Sequence, residues 1–223
     1  YTDQLPKADI IIGTYEKSQF LRELVTTGQI PLAETPEAII IKELTIEEHT
    51  ALWACAYDTR GLLYVLYELA ARINAQSIPA LYKPVAEKAF LKLRGVLHFL
   101  ELPNLKKGWT FNRKYWQSYF TMLIENRFNC FTLVLTSPSG APVLPYLCSV
   151  PEHPEVNLFH LPETVRTANL EALRDFAALA QECGLDFQLG FWNSYPPGAN
   201  NVSKLSGLTR ENITSSLYLA LKQ

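Results

Sequence analysis

Several signatures are missing from the 223 residues: no GxGxxG or GxxxxGK[ST] glycine pattern, no CxxC pair, no GxSxG elbow and no HxxxH spacing. Without a glycine-rich phosphate cradle, dinucleotide or nucleotide binding has no support, and the sequence implies no cofactor. His98, His153 and His160 lack ligand spacing, so no metal site is expected either. The absent elbow removes the usual signal for a Ser-His-Asp catalyst. No apolar run approaches the ~18 residues of a membrane helix, and the first residues given do not read as a signal peptide. Charge of one sign is also lacking: 20 Lys and Arg against 22 Asp and Glu leave a net −2, scattered along the chain. Nucleic acid and anionic membrane are therefore not expected partners. The four cysteines, Cys55, Cys130, Cys148 and Cys183, are far apart, three of them in apolar stretches, which suits buried free thiols.

What is present is an ordinary globular composition, 48% apolar and 19% charged. The chain is long enough for one or two domains. "ADIIIGT", 8 to 14, suits a buried strand ending at a glycine turn, and Ser18 can cap a helix closed by Gly28. "AIIIKEL", 38 to 44, and "TALWACAY", 50 to 57, are close enough in sequence to form an antiparallel pair. After "DTRG" a helix is expected, with Leu62, Leu66, Leu69 and Ile73 as its apolar stripe. Residues 1–78 thus form a small β-α-β-β-α domain, and 79–90, with Pro79 and Pro84, a linker.

From residue 91 the pattern changes. "LKLRGVLHFL", 91 to 100, reads as a strand, followed by a helix capped by Asn112 with Trp116, Tyr119, Phe120 and Leu123 on one stripe. "ENRFNC" carries that helix into a second strand, "CFTLVL", with neither glycine nor proline at the joint. A proline-rich loop of roughly thirty residues leads to a helix over about 167 to 183, ended by Gly184. "LDFQLGFW" is a third strand, and a further helix is expected from Thr209. Three successive β-α units with parallel strands define an α/β architecture. The long loops follow strands, which marks the carboxyl ends of the strands as the working face. An open doubly wound sheet fits, and a (β/α)8 (TIM) barrel fits better, because Arg94 and His98 would point the same way along the first strand toward a barrel mouth. A whole barrel takes ~250 residues, so 91–223 is expected to be its first third. The chain, holding only three of the eight strands, is therefore expected to be a fragment, and its start at Tyr1 without methionine fits the removal of a leader or more.

The order of these segments resembles carbohydrate-active enzymes of the α-glucuronidase and β-N-acetylhexosaminidase type, in which a small α/β domain precedes a catalytic barrel. The residues that carry the resemblance are "DIIIGT", "YDTRGLLYVLYELAARI", "LRGVLHF" and "FNRKYWQSYFTMLIENRFNCFTLVL", joined later by "LPYLCSVPEHPEV" and "GLTRENITSSLYLAL". It implies a glycoside hydrolase acting on a carbohydrate substrate, in an extracellular or periplasmic setting. In the hexosaminidases the arginine matching Arg94 bonds sugar hydroxyls. The other reading of Arg94 is a structural arginine paired with a carboxylate. Those enzymes carry an aspartate near the end of the first barrel strand, and Phe99 stands there in this sequence.

Glycoside hydrolysis usually requires two carboxylates flanking the scissile bond. Related families take them from the fourth barrel strand or later, so the pair is expected beyond Gln223. Glu152 and Glu155 flank a proline turn and read as surface residues. Candidate substrate contacts within the chain are Arg94, His98, Glu101, Trp192, Asn193 and Tyr195: guanidinium, imidazole and carboxylate groups for sugar hydroxyls, and an indole to stack on a sugar face. Glu101 has a structural or solvated reading, and Trp192 a packing one. A non-catalytic carbohydrate-binding or scaffold protein remains the alternative. Nothing in the sequence points to an oligomeric state.

Overall fold

The computed structural model describes residues 10–74, 83–101, 112–136, 147 and 162–191. They divide into two compact units, one reaching Arg94 and including Leu123–Arg127, the other comprising Gly95–Met122 and the residues from Phe128 onward. The helix expected from Thr209 lies outside the described residues, as does the proline-rich loop apart from Leu147.

The first unit holds β1 (Ile10–Thr14), α1 (Gln19–Thr26), β2 (Ile39–Ile46), β3 (His49–Ala56), α2 (Thr59–Asn74) and β4 (Val85–Glu87). Its sheet runs β1-β3-β2-β4; β1 is parallel to β3, while β2 is antiparallel to both β3 and β4. Strand β4 falls inside 79–90 and extends this sheet. The Ser18 hydroxyl caps α1 by accepting from the Leu21 N–H at 3.1 Å. The glycines that follow α1 and the later helix over 163–182, Gly28 and Gly184, have φ of 77° and 87°. Both values are the left-handed geometry of a helix stop. The hairpin is tighter than "TIEEH" suggests: its loop is only Glu47-Glu48, with φ of 49° and 68°. Two positive values in succession are the signs of a type I′ turn.

Helix α1 buries Leu21, Leu24 and Val25 with Ile40, Trp53 and Cys55. The alternate strand residues, Ile39, Ile41, Leu52 and Ala54, are buried as well, so both faces of the sheet are covered. The stripe expected on α2 is out of phase. Gly61, Tyr64, Val65 and Leu69 are buried, whereas Leu66 and Ile73 are 42% and 58% exposed. Gly61 explains the phase. A Cβ there would lie 3.1 Å from both the Ala38 carbonyl oxygen and the Ala56 Cβ, so the helix turns its smallest residue to the sheet.

The second unit is a parallel sheet in the order β5 (Gly95–Glu101), β6 (Cys130–Thr136), β7 (Asp186–Phe191), with α3 (Arg113–Glu125) and α4 (Glu163–Glu182) between the strands. The last turn of α3 is counted with the first unit. Strand β5 begins at Gly95, not at residue 91. Phe90, Leu91 and Leu93 are instead exposed outside any strand, and Arg94 bonds the Leu91 carbonyl, a local turn incompatible with extended backbone. Helix α4 starts before 167, with Pro162 at its cap and Glu163 favourably placed in its first turn. Phe131, Leu133 and Leu135 point to the helices and are at most 2% exposed. Against them lie Trp116 and Phe120 of α3 and Phe176 of α4, with Phe120 and Phe131 centroids 5.0 Å apart and Trp116 and Phe176 4.6 Å apart. Such edge-on ring pairs add to what area burial alone supplies. Cys55 and Cys130 are buried free thiols, Cys183 is half-buried, and burial pushes the Cys55 thiol up to about 12.

Candidate functional site

Parallel pairing brings the carboxyl ends of β5, β6 and β7 to one edge. Phe99, Val134 and Gly190 share one row of the sheet, Leu100, Leu135 and Phe191 the next, and Glu101 pairs with Thr136 in the row beyond. The backbone therefore places Glu101 at the rim where the chain leaves Phe191 for Trp192. Trp192, Asn193 and Tyr195 themselves lie outside the described residues.

The face of this sheet away from the helices is open. It carries Leu97 and Phe99, 53% and 50% exposed, beside Thr132, Val134, Gln188 and Gly190. The Thr132 hydroxyl donates to the Gln188 Oε1 at 3.0 Å across that face. This leaves the Gln188 amide nitrogen with donors to offer.

His98 is not part of that face. Alternation along β5 sends it toward the helices. There its ring meets Trp116 edge-on at 5.5 Å and lies 6.5 Å from Phe131. Burial lowers its pKa and favours neutral imidazole. The expectation that His98 lines a mouth gives way to a packing position, because β5 is apolar on both sides and polarity did not mark the open one.

Arg94 precedes β5, at the amino end of the strand. Its Nε donates to the Arg127 carbonyl at 2.6 Å, its Nη1 to the Leu91 carbonyl, and its Nη2 to the Glu37 carboxylate and to the Tyr64 hydroxyl at 3.2 Å. All three nitrogens are engaged by protein. Burial alone would lower the arginine pKa, but the bond to Glu37, the Glu37 charge and Tyr64 together outweigh it and the pKa is raised. Burial, and then the Glu37 charge, push the Tyr64 phenol up to about 12. The geometry therefore realises the carboxylate-paired reading of Arg94, with Glu37 as the carboxylate. Sequence inspection missed Glu37 and Tyr64. Glu37 stands in a polar turn with no pattern around it, and Tyr64 is hidden among the leucines of "RGLLYVLYEL".

Among the described residues no group of three or more His, Cys, Asp or Glu side chains could hold a metal ion. A broad depression of about 680 Å³ runs along β1, with Lys17, Arg22, Trp53 and Leu62 in its walls. It is remote in sequence from every candidate contact.

No protein-family model matches this sequence, and no curated protein matches it. A solved structure described as a GH138 enzyme targeting pectin rhamnogalacturonan II is similar, with a TM-score of 0.53 and 19% identity over 82% of this chain. This chain spans 24% of that protein's length. What the comparison shows is an α/β fold shared with a stretch of a GH138 enzyme.

Proposed function

We propose that the chain is part of a glycoside hydrolase in which β5, β6 and β7 with their helices are the first three units of a (β/α)8 barrel, and that carbohydrate binds at their carboxyl ends. The observation that carries this is the sequential parallel order β5-β6-β7 with both helices on one face. A doubly wound sheet places helices on both faces, whereas a barrel keeps them outside and closes its inner face with further strands. Exposed Leu97 and Phe99 are the side chains such closure would cover. The fold shared with a pectin-targeting enzyme supports the carbohydrate reading. The narrower α-glucuronidase or hexosaminidase type rests on the sequence resemblance alone.

In this reading residues 1–78 are an accessory α/β domain, the segment 79–90 adds β4 to the edge of its sheet before the chain goes on, and the barrel portion of 91–223 starts with β5. Glu101 and Asn193 hydrogen-bond sugar hydroxyls, Trp192 stacks on a ring face, and Tyr195 adds a donor. Arg94 and His98 serve the sugar only by holding the scaffold. The acid and base carboxylates come from outside residues 1–223. The second reading is a non-catalytic carbohydrate-binding or scaffold protein that keeps the barrel without an acid and base pair.

The test is a panel of pectic and other plant and bacterial oligosaccharides, read for binding and for newly released reducing ends. Binding with hydrolysis by the full-length protein supports the enzyme, and binding without hydrolysis supports the second reading. If nothing binds, both fail.

A further inference from the structure

The chain leaves the first unit at Arg94 and again at Arg127, and these two residues are bonded to each other through the Arg94 Nε and the Arg127 carbonyl. Each is also fastened to α2 or to what packs on it. Arg94 reaches Glu37, which also accepts from Arg60 Nη1 and Tyr64 Oη, both at 3.2 Å. Arg127 donates to Glu87 and to Glu68, both at 3.1 Å, and its guanidinium lies 5.4 Å over the Tyr64 ring. A cation so placed is attracted by the ring's negative face. Glu68 in turn holds Arg72, whose Nη1 donates to the Lys83 carbonyl at 2.6 Å.

Two backbone conformations are tied to this cluster. Arg127 follows α3 with φ of 64°, and Glu37 has φ of 63°. After a helix, glycine is the usual residue in that conformation. A left-handed conformation at a residue with a Cβ persists only when its surroundings over-determine it. For Arg127 the side-chain bonds to Glu68 and Glu87 supply that determination.

We infer that Glu37, Glu68 and Glu87 form an acid-releasable clasp that holds the two exits of the chain from the first unit, Arg94 and Arg127, side by side. The charged and titratable groups that face one another are Glu37 from the turn before β2; Asp58, which accepts from the Glu37 N–H at 2.9 Å, just before α2; Arg60, Tyr64, Glu68 and Arg72 from α2; Glu87, Lys88 and Arg94 around β4 and the segment after it; and Arg127 at the end of α3. Neutralising the three carboxylates takes their negative charge from among Arg60, Arg72, Lys88, Arg94 and Arg127. Mutual repulsion of these cations, no longer offset by that charge, then drives the clasp open. The Tyr64 phenol, pushed up to about 12, stays protonated throughout and does not take part. For Glu68, burial would raise the pKa, but the bonds from Arg72 and Arg127 outweigh it and the net shift is downward. Its share of the clasp is therefore complete above the ordinary carboxylate pKa and is lost as pH falls through the lowered one.

The test is hydrogen exchange by mass spectrometry on the whole chain at neutral pH and at about pH 3, below the ordinary carboxylate pKa, corrected for intrinsic rates. The clasp requires protection at 123–128 to fall by about tenfold or more at the acid pH while β2 and β3 stay protected. Glu37→Gln combined with Glu68→Gln should open the same segment at neutral pH and abolish the acid response. Glu87→Gln, at a half-exposed position where folding is not in question, should move the response part of the way. Loss of protection spread evenly over the first unit, no local loss at the acid pH, or Glu87→Gln behaving as the parent would each overturn the inference.

Discussion

Replacing Arg127 with glycine sets backbone strain against side-chain bonding. The φ at this position is 64°. Glycine accepts that value freely, so the substitution removes roughly 1 kcal/mol of left-handed strain. Against this it deletes two ion pairs at 3.1 Å and a guanidinium 5.4 Å over the Tyr64 ring. The Arg127 side chain is 22% exposed and its partners Glu68 and Glu87 are 32% and 50% exposed. At such exposure each pair contributes about 0.2 to 1 kcal/mol. The ring contact adds about 0.5 to 1 kcal/mol. The sum lost is about 2 kcal/mol, and Arg127→Gly should be less stable than the parent by about 1 kcal/mol. Arg127→Ala loses the same bonds and keeps the strain, so it should fall about 2 kcal/mol below the parent. Urea titrations followed by circular dichroism resolve such differences, which also move Tm by about 2 to 4 °C per kcal/mol in a chain of this size. High salt should narrow the gap between parent and Arg127→Gly but leave the gap between the two variants unchanged, because only the former is electrostatic. Arg127→Gly as stable as the parent would mean that the ion pairs and ring contact add nothing, and equal stability of the two variants would mean that the backbone at 127 is not strained.

Three other outcomes follow from the same geometry. Glu47 and Glu48 both have positive φ in a two-residue hairpin. Glu47→Asn with Glu48→Gly should therefore stabilise the first unit by about 1 to 2 kcal/mol, and an unchanged urea midpoint would contradict the turn assignment. A methyl at Gly61 would meet backbone at 3.1 Å. Gly61→Ala should destabilise by about 1 to 3 kcal/mol, and a neutral result would mean that α2 can move off the sheet. His98 has a lowered folded pKa. Between that value and ~6.5 the unfolded chain binds more protons, so stability falls as pH falls. In His98→Phe this part of the loss between about pH 7 and pH 5 should vanish, and an identical pH dependence in parent and variant would show that His98 is not shielded by Trp116 and Phe131.

Element types were legible where local chemistry is decisive. Ser18, Gly28 and Gly184 mark helix ends because a hydroxyl cap and a left-handed stop are local requirements. The parallel order of three β-α units followed from their alternation, as crossover geometry demands. Where two apolar faces compete, the pattern misled. On α2 the leucines suggest one stripe, but the close approach at Gly61 turns Tyr64 and Val65 inward. On β5 both faces are apolar, so nothing in "GVLHFLE" says that His98 lies under Trp116 and Phe99 on the open side. The hairpin at Glu47-Glu48 and the stop at Arg127 lack the glycine that would announce them. In the second case the reason is a set of partners, Glu68, Glu87 and Tyr64, between 40 and 63 residues away in sequence. Such tertiary reasons are invisible to any local reading. Among the described candidate contacts, Arg94, His98 and Glu101, it is Glu101 whose backbone lies at the carboxyl rim.

The most direct test of carbohydrate binding at that rim is calorimetric titration of the parent, Trp192→Ala and Glu101→Gln with pectic oligosaccharides of defined length. If carbohydrate binds there, the parent binds measurably and each variant loses about tenfold or more in affinity, a change of ~1.4 kcal/mol, with circular dichroism unchanged. Equal affinity in all three proteins would contradict binding at that rim.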